Sequence, residues 1–540
     1  MKIIKTCTCI ALFALIANQN SWAQNTKLVQ EAEQSMLRST RYMVEKVSTN
    51  GGYVWYYLPD FSRRWGEMEA YKTMIWLQNP GTVSIGNLFL EAYQATGNEY
   101  YYQAAEKVGS ALIWGQCSEG GWNYMIDFAG DRSLKQWYNT IGKNGWRLEE
   151  FQHNYGNSTF DDDVTANAAL FLLKMYLEKL DPVWKPSLDK AISFILESQY
   201  PLGGWPQRYP LKYDFNKEGH PDYTSFYTFN DGVIVENINF LIQCYLTLGE
   251  ERFLDPIRRG MNFYLISQDS SGGWADQLNM SLEAVGARTY EPKSLMPQTT
   301  FENAMALLTF YQYTGDKKFL VGVKDAINWL GKTSLSKDKD GNNSYAYPTF
   351  VELGTNRPIY VHRKGSNSKN GKYFVDYSDE KLLGHYSGKR MFPVNRLKEE
   401  YSRIAALTTE EATKDSPLKV ESYKGEGSPQ SVHDLTPNIF SRVPDEKQVK
   451  EIIQSLDNDN RWLVKHVSKS NPYIGDGQKQ ELTDEFASTN VGDETDTSPF
   501  RDPSDQTYIS IPEYIRNMSL LISYIRSLKA NDGSKQFPLK

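Results

Sequence analysis

The sequence has few cysteines, no excess of positive charge and, beyond its N-terminus, no long apolar run. Only 4 cysteines occur in 540 residues, and Cys7 and Cys9 lie near the N-terminus. The other two, Cys117 and Cys244, have no metal-site spacing, although an oxidising compartment would allow them to pair. The formal net charge of −7 argues against a nucleic-acid groove, but it leaves room for one local basic cleft.

The N-terminus has the layout of a secretory signal peptide. MKIIK precedes the apolar stretch TCTCIALFALIA and a polar region that ends in SWA, a small-x-small cleavage site before Gln24. This stretch is too short for a permanent anchor, and no other stretch approaches about 18 apolar residues. We therefore expect residues 1–23 to be a signal peptide, and the mature protein to be periplasmic or secreted without a stable membrane span.

Aromatic residues are abundant. They make up 13% of the chain and include 35 Tyr and 13 Trp. Flat apolar side chains line many carbohydrate-binding clefts, where they stack on sugar rings, and they also fill cores. The surplus is therefore compatible with a sugar ligand and equally with a large core.

A helical-hairpin pattern recurs along the first two thirds of the chain. The helix junctions, each with a Gly or Asp-Pro stop before residues that restart a helix, lie at 93–101, 176–184, 245–253 and 311–319. Gly-Gly-Trp follows at 120–122, 203–205 and 272–274. First helices such as 235–246 are so apolar that they should be inner helices. We expect an all-α fold, an α/α toroid of stacked hairpins with the Gly-Gly-Trp turns at one rim.

The pattern changes after about residue 333, where Gly, Asn and aromatic residues indicate irregular loops with short β-strands. Residues 410–445 and 468–508 are polar and loop-like. The stretches QVKEIIQSL and IPEYIRNMSLLISYIRSL restore helical periodicity. The expected organisation is a toroid over residues 24–410, followed over 411–540 by polar loops and helices that dock on it.

Two predicted inner helices begin with acidic residues. Asp161, Asp162 and Asp163 precede one apolar run, and Asn230-Asp231 precedes another. One aspartate is enough to cap a helix. Three adjacent carboxylates instead indicate a hard cation, which takes oxygen ligands and relieves their repulsion.

Five motifs in this region carry a family resemblance. They are STFDDDVT at 158, QYPLGGWPQRYPLKYD at 199, YTFNDG at 227, GARTYEPKSL at 286 and FVELGTNRPIYVHRKG at 350. Together they resemble, in order, the motifs of family ten polysaccharide lyases, the pectate lyases with an α/α toroid. The resemblance covers a core of about residues 156–370.

The resemblance implies cleavage of polygalacturonate, pectate or a related uronate polymer by calcium-assisted β-elimination. It assigns Asp161 and Asp231 to the Ca²⁺ and substrate site, and Arg288 to the role of catalytic base. A permanently charged side chain can act so only in a strongly electropositive, calcium-loaded site, which predicts an alkaline optimum. Arg363 and, more weakly, Arg357 match positions suited to gripping a uronate carboxylate.

Further candidate substrate contacts are Trp205, Asp162, Asn230 and Glu291. Each assignment has a structural alternative: helix capping for the aspartates, an ion pair between Arg288 and Glu291, and core packing for Trp205, as for Trp122 and Trp274. Lys293 is a weaker candidate contact, and His153 an alternative base.

The chain also departs from the family pattern. Asp161-Asp162-Asp163 replaces Asp-Asn-Gly, residues 296–300 replace Ser-Gly-Ser-Glu-Ser, and residues 277–279 replace Gln-His-Asp. The extra negative charge could tighten Ca²⁺ binding or repel a poly-uronate, so the substrate could differ from plain polygalacturonate.

Two other functions compete with the lyase. An α/α-toroid glycoside hydrolase would need two carboxylates across the scissile bond, for which Asp162 and Glu291 are available. A protein that kept the fold but lost catalysis would bind acidic glycans only. In each case we expect a monomer whose partner is a polysaccharide and not nucleic acid.

Overall fold

The structure, a computed structural model, describes most of the chain. The described residues are 26–142, 149–211, 222–337, 345–364, 372–380, 382, 388–419, 443–465, 467 and 506–531. The predicted signal peptide and most of the predicted loops at 410–445 and 468–508 lie outside these ranges. Among the helices described, none combines the length and apolarity needed to cross a membrane.

Helices dominate the described residues, as the sequence predicts. They are α1 (26–42), α2 (Thr82–Thr96), α3 (Glu99–Gly115), α4 (Asp131–Asn139), α5 (Val164–Lys179), α6 (Lys185–Glu197), α7 (Val233–Leu248), α8 (Leu254–Ile266), α9 (Pro297–Thr314), α10 (Lys318–Thr333), α11 (Val394–Ala405), α12 (Thr409–Ala412), α13 (Glu446–Gln454) and α14 (Ile511–Asn531).

The strands are short. They are β1 (Tyr56–Tyr57), β2 (Arg64–Trp65), β3 (Met74–Trp76), β4 (Met125–Asp127), β5 (Ser158–Thr159), β6 (Arg208–Tyr209), β7 (Tyr227–Thr228), β8 (Gln277–Leu278), β9 (Ser336–Lys337), β10 (Tyr345–Pro348), β11 (Phe350–Val351), β12 (Pro358–Lys364), β13 (Lys372–Asp376), β14 (Lys389–Phe392), β15 (Leu463–Val464) and β16 (Tyr508–Ser510). They form sheets in the orders β15-β16-β1-β2, β14-β10-β9 and β11-β12-β13, and the pairs β3-β4, β5-β6 and β7-β8.

Neighbouring helices pack as hairpins: α2 with α3, α5 with α6, α7 with α8, and α9 with α10. Helix α5 also packs against α2 and α7, and α14 packs against α2. Twelve of the 16 residues of α7 are buried, because α5 and α8 pack against it. The α/α toroid predicted from the repeats is confirmed, and α14 links the C-terminal segment to the first hairpin.

The Gly-Gly-Trp turns have one shared geometry. The indole N–H of Trp205 donates to the carbonyl of Ile195 over 2.8 Å, and Trp122 and Trp274 donate in the same way to residues ten positions earlier. Gly203 has φ 109°, and a Cβ there would collide with the carbonyl of Arg259 on the next hairpin. Only glycine suits such a close approach at positive φ. The turns therefore fasten successive hairpins together.

Short strand pairs place the polar residues at this rim. Thr159 pairs with Arg208, and Thr228 pairs with Gln277. Each pair joins the segment before an inner helix to the segment after the next Gly-Gly-Trp turn. Residues from neighbouring hairpins consequently meet at the mouth of the toroid.

The two cysteines that follow the predicted signal peptide are not bonded to each other. Cys117 is partly exposed, whereas Cys244 is buried in α7. The pairing that an oxidising compartment would allow is therefore absent.

Candidate active site

Two inner helices start with the same backbone turn. Residues Asp161–Asp163 precede α5, and Asn230–Gly232 precede α7, both as single 3-10 turns that pack against each other. The middle residues, Asp162 and Asp231, have φ/ψ of 48°/35° and 50°/33°. Asp162 is thus the positional counterpart of Asp231, and Asp161 is the counterpart of Asn230. Of the two predicted calcium ligands, Asp161 is therefore the first residue of its turn and Asp231 is the second residue of the equivalent turn.

Asp161 is the most deeply placed carboxylate of the cluster. Its side chain is 7% exposed. The hydroxyl of Tyr124 donates to Oδ2 over 2.5 Å. Oδ1 is buried and has no hydrogen-bond donor within the described part of the chain. A buried carboxylate oxygen in this state is suited to a cation or an ordered water.

The neighbouring carboxylates repel one another. Burial, followed by the charge of Asp161, raises the pKa of Asp162 to about 7. Burial and the nearby Glu236 raise the pKa of Asp163 to about 8. A positive charge at this place would favour the ionised forms and relieve the repulsion.

Asp231 is the accessible member of the cluster. Its surface is open to solvent, and the Asn230 amide donates to its Oδ2 over 2.5 Å. The surrounding protein nevertheless removes much of its hydration, and Asp161 and Asp162 add negative charge. These effects raise the pKa of Asp231 well above its usual value. An accessible side chain with a raised pKa indicates a recessed position, such as the floor of a cleft.

Arg288 lies within electrostatic range of this acidic cluster. Its charge counteracts the raised pKa values of Asp162 and Asp231, so the 286–295 loop and the two helix starts share one electrostatic environment. The Arg288 side chain is 12% exposed. Its Nε and Nη2 donate to the two Glu291 oxygens over 3.0 and 2.9 Å. The ion pair considered from the sequence is therefore present.

A second carboxylate pair, not identified from the sequence, holds the same loop. Glu150 accepts from Arg288 Nη1 over 3.2 Å. Its neighbour Glu149 accepts from the backbone N–H of Thr289 over 3.2 Å and from its hydroxyl. These glutamates lie 138 and 140 residues before their partners. No local pattern signals so distant a contact.

A small groove adjoins the cluster and contains Asn230, Asp276 and Glu291 in its lining. Asp276 accepts a hydrogen bond from the Thr299 hydroxyl. Burial still raises the pKa of Asp276 to about 7, since the bond only partly offsets the lost hydration. The groove thus extends the acidic surface away from the helix starts.

Arg208 is a further site residue that the sequence did not single out. It is 1% exposed and lies over the ring of Tyr124 at 5.1 Å and that of Tyr155 at 4.5 Å. Tyr124 in turn binds Asp161. The arginine in the GGWPQRYP segment was the available signal, but nothing in that segment indicates that its charge is buried under the aspartates.

The prediction that Trp205 stacks on a sugar ring does not fit its position. The side chain is fully buried, as are those of Trp122 and Trp274. Its indole N–H donates to the carbonyl of Ile195 in α6. Trp205 therefore acts in packing, which was the alternative for all three tryptophans.

Arg357 lies over an aromatic ring. It is exposed in the turn between β11 and β12, with its guanidinium 3.7 Å from the centre of the Tyr377 ring. The adjacent Asn356 bonds to Trp329 of the outer helix α10. Arg363 pairs through its backbone with Tyr373 in the β12–β13 hairpin, and its side chain lies outside the described part of the structure.

The two weaker candidates lie near the site without an evident role. Lys293 is exposed in the 286–295 loop. His153 packs edge-on against Tyr155 at 5.0 Å. Burial, followed by the charge of Arg208, lowers the pKa of His153, which favours its neutral form.

No metal cluster is preformed in the part of the chain that the structure describes. There, no three or more His, Cys, Asp and Glu side chains are grouped to hold an ion. A cation bound at Asp161 and Asp231 would therefore need further oxygen ligands from water or substrate.

Comparison with protein families now identifies the domain. Residues 128–385 match the model of the family described as pectic acid lyase. These residues form a divergent pectic acid lyase domain. This confirms the resemblance carried by the five motifs, all of which lie within the matched residues, and it makes the chain an enzyme of the lyase class.

Solved structures with similar folds include a family 10 polysaccharide lyase from Cellvibrio cellulosa, a mutant in complex with trigalacturonic acid. It is 19% identical, and the alignment covers 51% of this chain and 86% of that chain with a TM-score of 0.35. Cellobiose 2-epimerase from Bacillus thermoamylovorans is 12% identical, with coverage of 94% and 99% and a TM-score of 0.41. No curated protein matches the chain.

Proposed function

We propose that this protein cleaves polygalacturonate, pectate or a closely related uronate polymer by calcium-assisted β-elimination. The observation that supports this most is the meeting of Asp161, Asp231 and Arg288 at one toroid mouth, inside the segment that matches the family. Trigalacturonic acid, the ligand in the Cellvibrio lyase complex, belongs to the same substrate class.

The reaction breaks the C5–H and C4–O bonds of a uronate and forms a C4–C5 double bond. The C5 proton is weakly acidic, because the adjacent carboxylate is negatively charged and resists further charge. Neutralising that carboxylate stabilises the enolate-like intermediate. A base must then accept the C5 proton, and the departing oxygen must gain one.

The donor set of the cluster fits calcium, which prefers several carboxylate and neutral oxygens. Asp161 offers a buried oxygen without a donor in the described residues, and Asp231 offers an accessible carboxylate. Two protein carboxylates leave coordination positions for a substrate carboxylate. Bound calcium would supply positive charge that neutralises the substrate carboxylate.

Arg288 is the proposed base. Its position beside the aspartates suits contact with a sugar bound there, but the carboxylates of Glu150 and Glu291 stabilise its cationic form. A guanidinium loses a proton only at high pH unless its surroundings become more positive. We therefore expect activity to rise steeply into the alkaline range.

Export forms part of the proposal. The signal-like residues 1–23 lie outside the described residues, so the expectation of a periplasmic or secreted enzyme rests on their sequence. A polymer too large to cross a membrane would be degraded there.

The competing hydrolase has weaker support. It would use Asp162 and Glu291 as its two carboxylates, but both oxygens of Glu291 accept from Arg288. No observation favours the non-catalytic glycan binder over an enzyme.

The decisive experiment measures absorbance of unsaturated uronate at alkaline pH with polygalacturonate as substrate. We expect product with Ca²⁺, none with a chelator, and recovery when Ca²⁺ is restored. Arg288→Ala should lower turnover at least about 100-fold while the fold persists by circular dichroism. Reducing ends without unsaturated product would establish hydrolysis, and binding without any product would establish a glycan binder.

A further inference from the structure

The Arg288 guanidinium is held from two sides by two different parts of the chain. Glu291, three residues further along, accepts from Nε and Nη2. Glu150, in the 3-10 turn Glu149–Phe151, accepts from Nη1. Hydrogen bonds from separate directions fix both the plane and the rotation of a guanidinium.

The contact with Glu150 has an energetic cost, because it requires a carboxylate to be buried. The Glu150 side chain is 8% exposed. Burial raises its pKa, and the charge of Arg288 counteracts that rise. Glu149 binds the backbone and hydroxyl of Thr289, so the same turn holds two successive residues of the loop. Burying two adjacent carboxylates is unfavourable unless each is paired.

We infer that Glu150 is a positioning residue for Arg288, which orients its guanidinium toward the acidic cluster and whose negative charge sets the pH at which Arg288 can act as a base. The inference rests on the proposed function, since it assumes turnover that depends on Arg288. It assigns to Glu150 no contact with substrate.

The charge effect has a definite sign. An anion beside a guanidinium stabilises its protonated form, so removing that anion lets the proton leave at lower pH. Among the described residues, the titratable groups whose charges act on or bond the Arg288 loop are Glu149 and Glu150 from their turn, Tyr223, Asp162, Asp231, and Tyr290 and Glu291 from the loop itself. Of these groups, Glu150 bonds Nη1 directly from outside the loop.

Two substitutions separate charge from orientation. Glu150→Gln keeps an oxygen acceptor for Nη1 and removes the charge. We expect the midpoint of its kcat–pH profile to fall by about one pH unit. Glu150→Asp keeps the charge and withdraws it by one methylene. We expect its kcat at the optimum to fall about 10-fold while KM changes little, because the guanidinium is misoriented.

The matched control is Glu283→Gln. Glu283 is exposed in the loop that leads to Arg288 and bonds Asn279. Its kcat and pH profile should equal those of the wild type. All proteins are assayed as full chains with saturating Ca²⁺ and polygalacturonate, after circular dichroism has confirmed the fold.

The outcomes are distinguishable. A Glu150→Gln pH profile that overlays the wild type, or a Glu150→Asp kcat equal to the wild type, overturns the inference. If Glu150→Gln does not fold, Glu150→Asp decides alone. Failure of the proposed function appears instead in the wild type, as an absence of unsaturated product with Ca²⁺.

Discussion

The two helix starts, residues 158–163 and 227–232, share a backbone but differ in charge. Their middle residues have nearly identical left-handed dihedral angles. The next residue is also left-handed in each, with φ 58° at Asp163 and 72° at Gly232. The first helix start places three carboxylates on this backbone, whereas the second has an amide, one carboxylate and glycine. The same turn therefore serves two chemical environments.

The comparison separates what the repeat supplies from what the side chains supply. In both helix starts, the strand pair, the phenylalanine (Phe160 or Phe229) and the turn hold the polar residues at the rim. Asp163 is not needed for that geometry, because Gly232 takes the equivalent conformation. A non-glycine residue at positive φ is uncommon and strained. The strain and the charge at Asp163 can thus be removed without removing the turn.

Removing the one carboxylate of the second helix start should have the largest effect. In Asp231→Asn the accessible Ca²⁺ ligand becomes a neutral amide of the same size, so kcat/KM for polygalacturonate should fall about 100-fold. Rates measured against Ca²⁺ concentration would check this. Asp255→Asn is the control, because Asp255 lies on the outer helix α8 with its side chain 79% exposed. A wild-type rate in Asp231→Asn would move the calcium site elsewhere.

Much of the toroid could be predicted because its repeat appears in the sequence. The Gly-Gly-Trp turns and apolar inner helices identified four hairpins. Variants of the turn were missed because their residues differ. In Gly51-Gly52-Tyr53 the Tyr53 backbone N–H donates to the Thr82 hydroxyl, as those of Trp122 and Trp274 donate to Thr165 and Thr300. The Trp462 indole donates to the carbonyl of Ile452, ten residues earlier. Geometry preserved by different residues leaves no motif to find.

The family motifs predicted which charged residues share one environment, but not their long-range partners. Asp161, Asp231 and Arg288 do share one electrostatic environment. Glu150 and Arg208 were missed, since their importance comes from long-range packing that sequence spacing does not record. Trp205 was given a surface role because a sequence does not reveal which face a turn tryptophan presents.

A smaller effect is expected for Asp162, the counterpart of Asp231. Asp162→Asn retains an acceptor for the Gln78 amide but removes one charge beside Asp161. The Ca²⁺ concentration for half-maximal activity should rise about 5-fold at pH 9, with kcat nearly unchanged. The pKa of Asp162 is raised to about 7, so this carboxyl is largely protonated at pH 6 in the wild type. The difference in Ca²⁺ requirement between the variant and the wild type should therefore shrink at pH 6. A difference that grows toward low pH would contradict this assignment.

The smallest effect is on stability, and it is expected when Asp163 is replaced by glycine, the residue found at the equivalent position 232. The pKa of Asp163 is raised to about 8 in the folded protein, so folding favours its neutral form. Its contribution to stability is lost as pH rises from about 4 to 8. With Ca²⁺ chelated, Asp163→Gly should therefore be more stable than the wild type by about 1 kcal/mol at pH 8, or about 2 °C in Tm, and by less at pH 5.

The reverse exchange provides the matched test by calorimetry. A Cβ at Gly232 would lie 3.2 Å from Asp163 Oδ1, so Gly232→Asp adds both strain and a repelling charge. It should lower Tm, and the loss should be greater at pH 8 than at pH 5. If Tm shifts equally at pH 5 and pH 8, charge makes no contribution, and backbone strain accounts for the whole difference in stability between the two helix starts. If Asp163→Gly raises Tm, Gly232→Asp lowers it, and both shifts grow as pH rises, the additional carboxylates are held at the first helix start against their mutual repulsion.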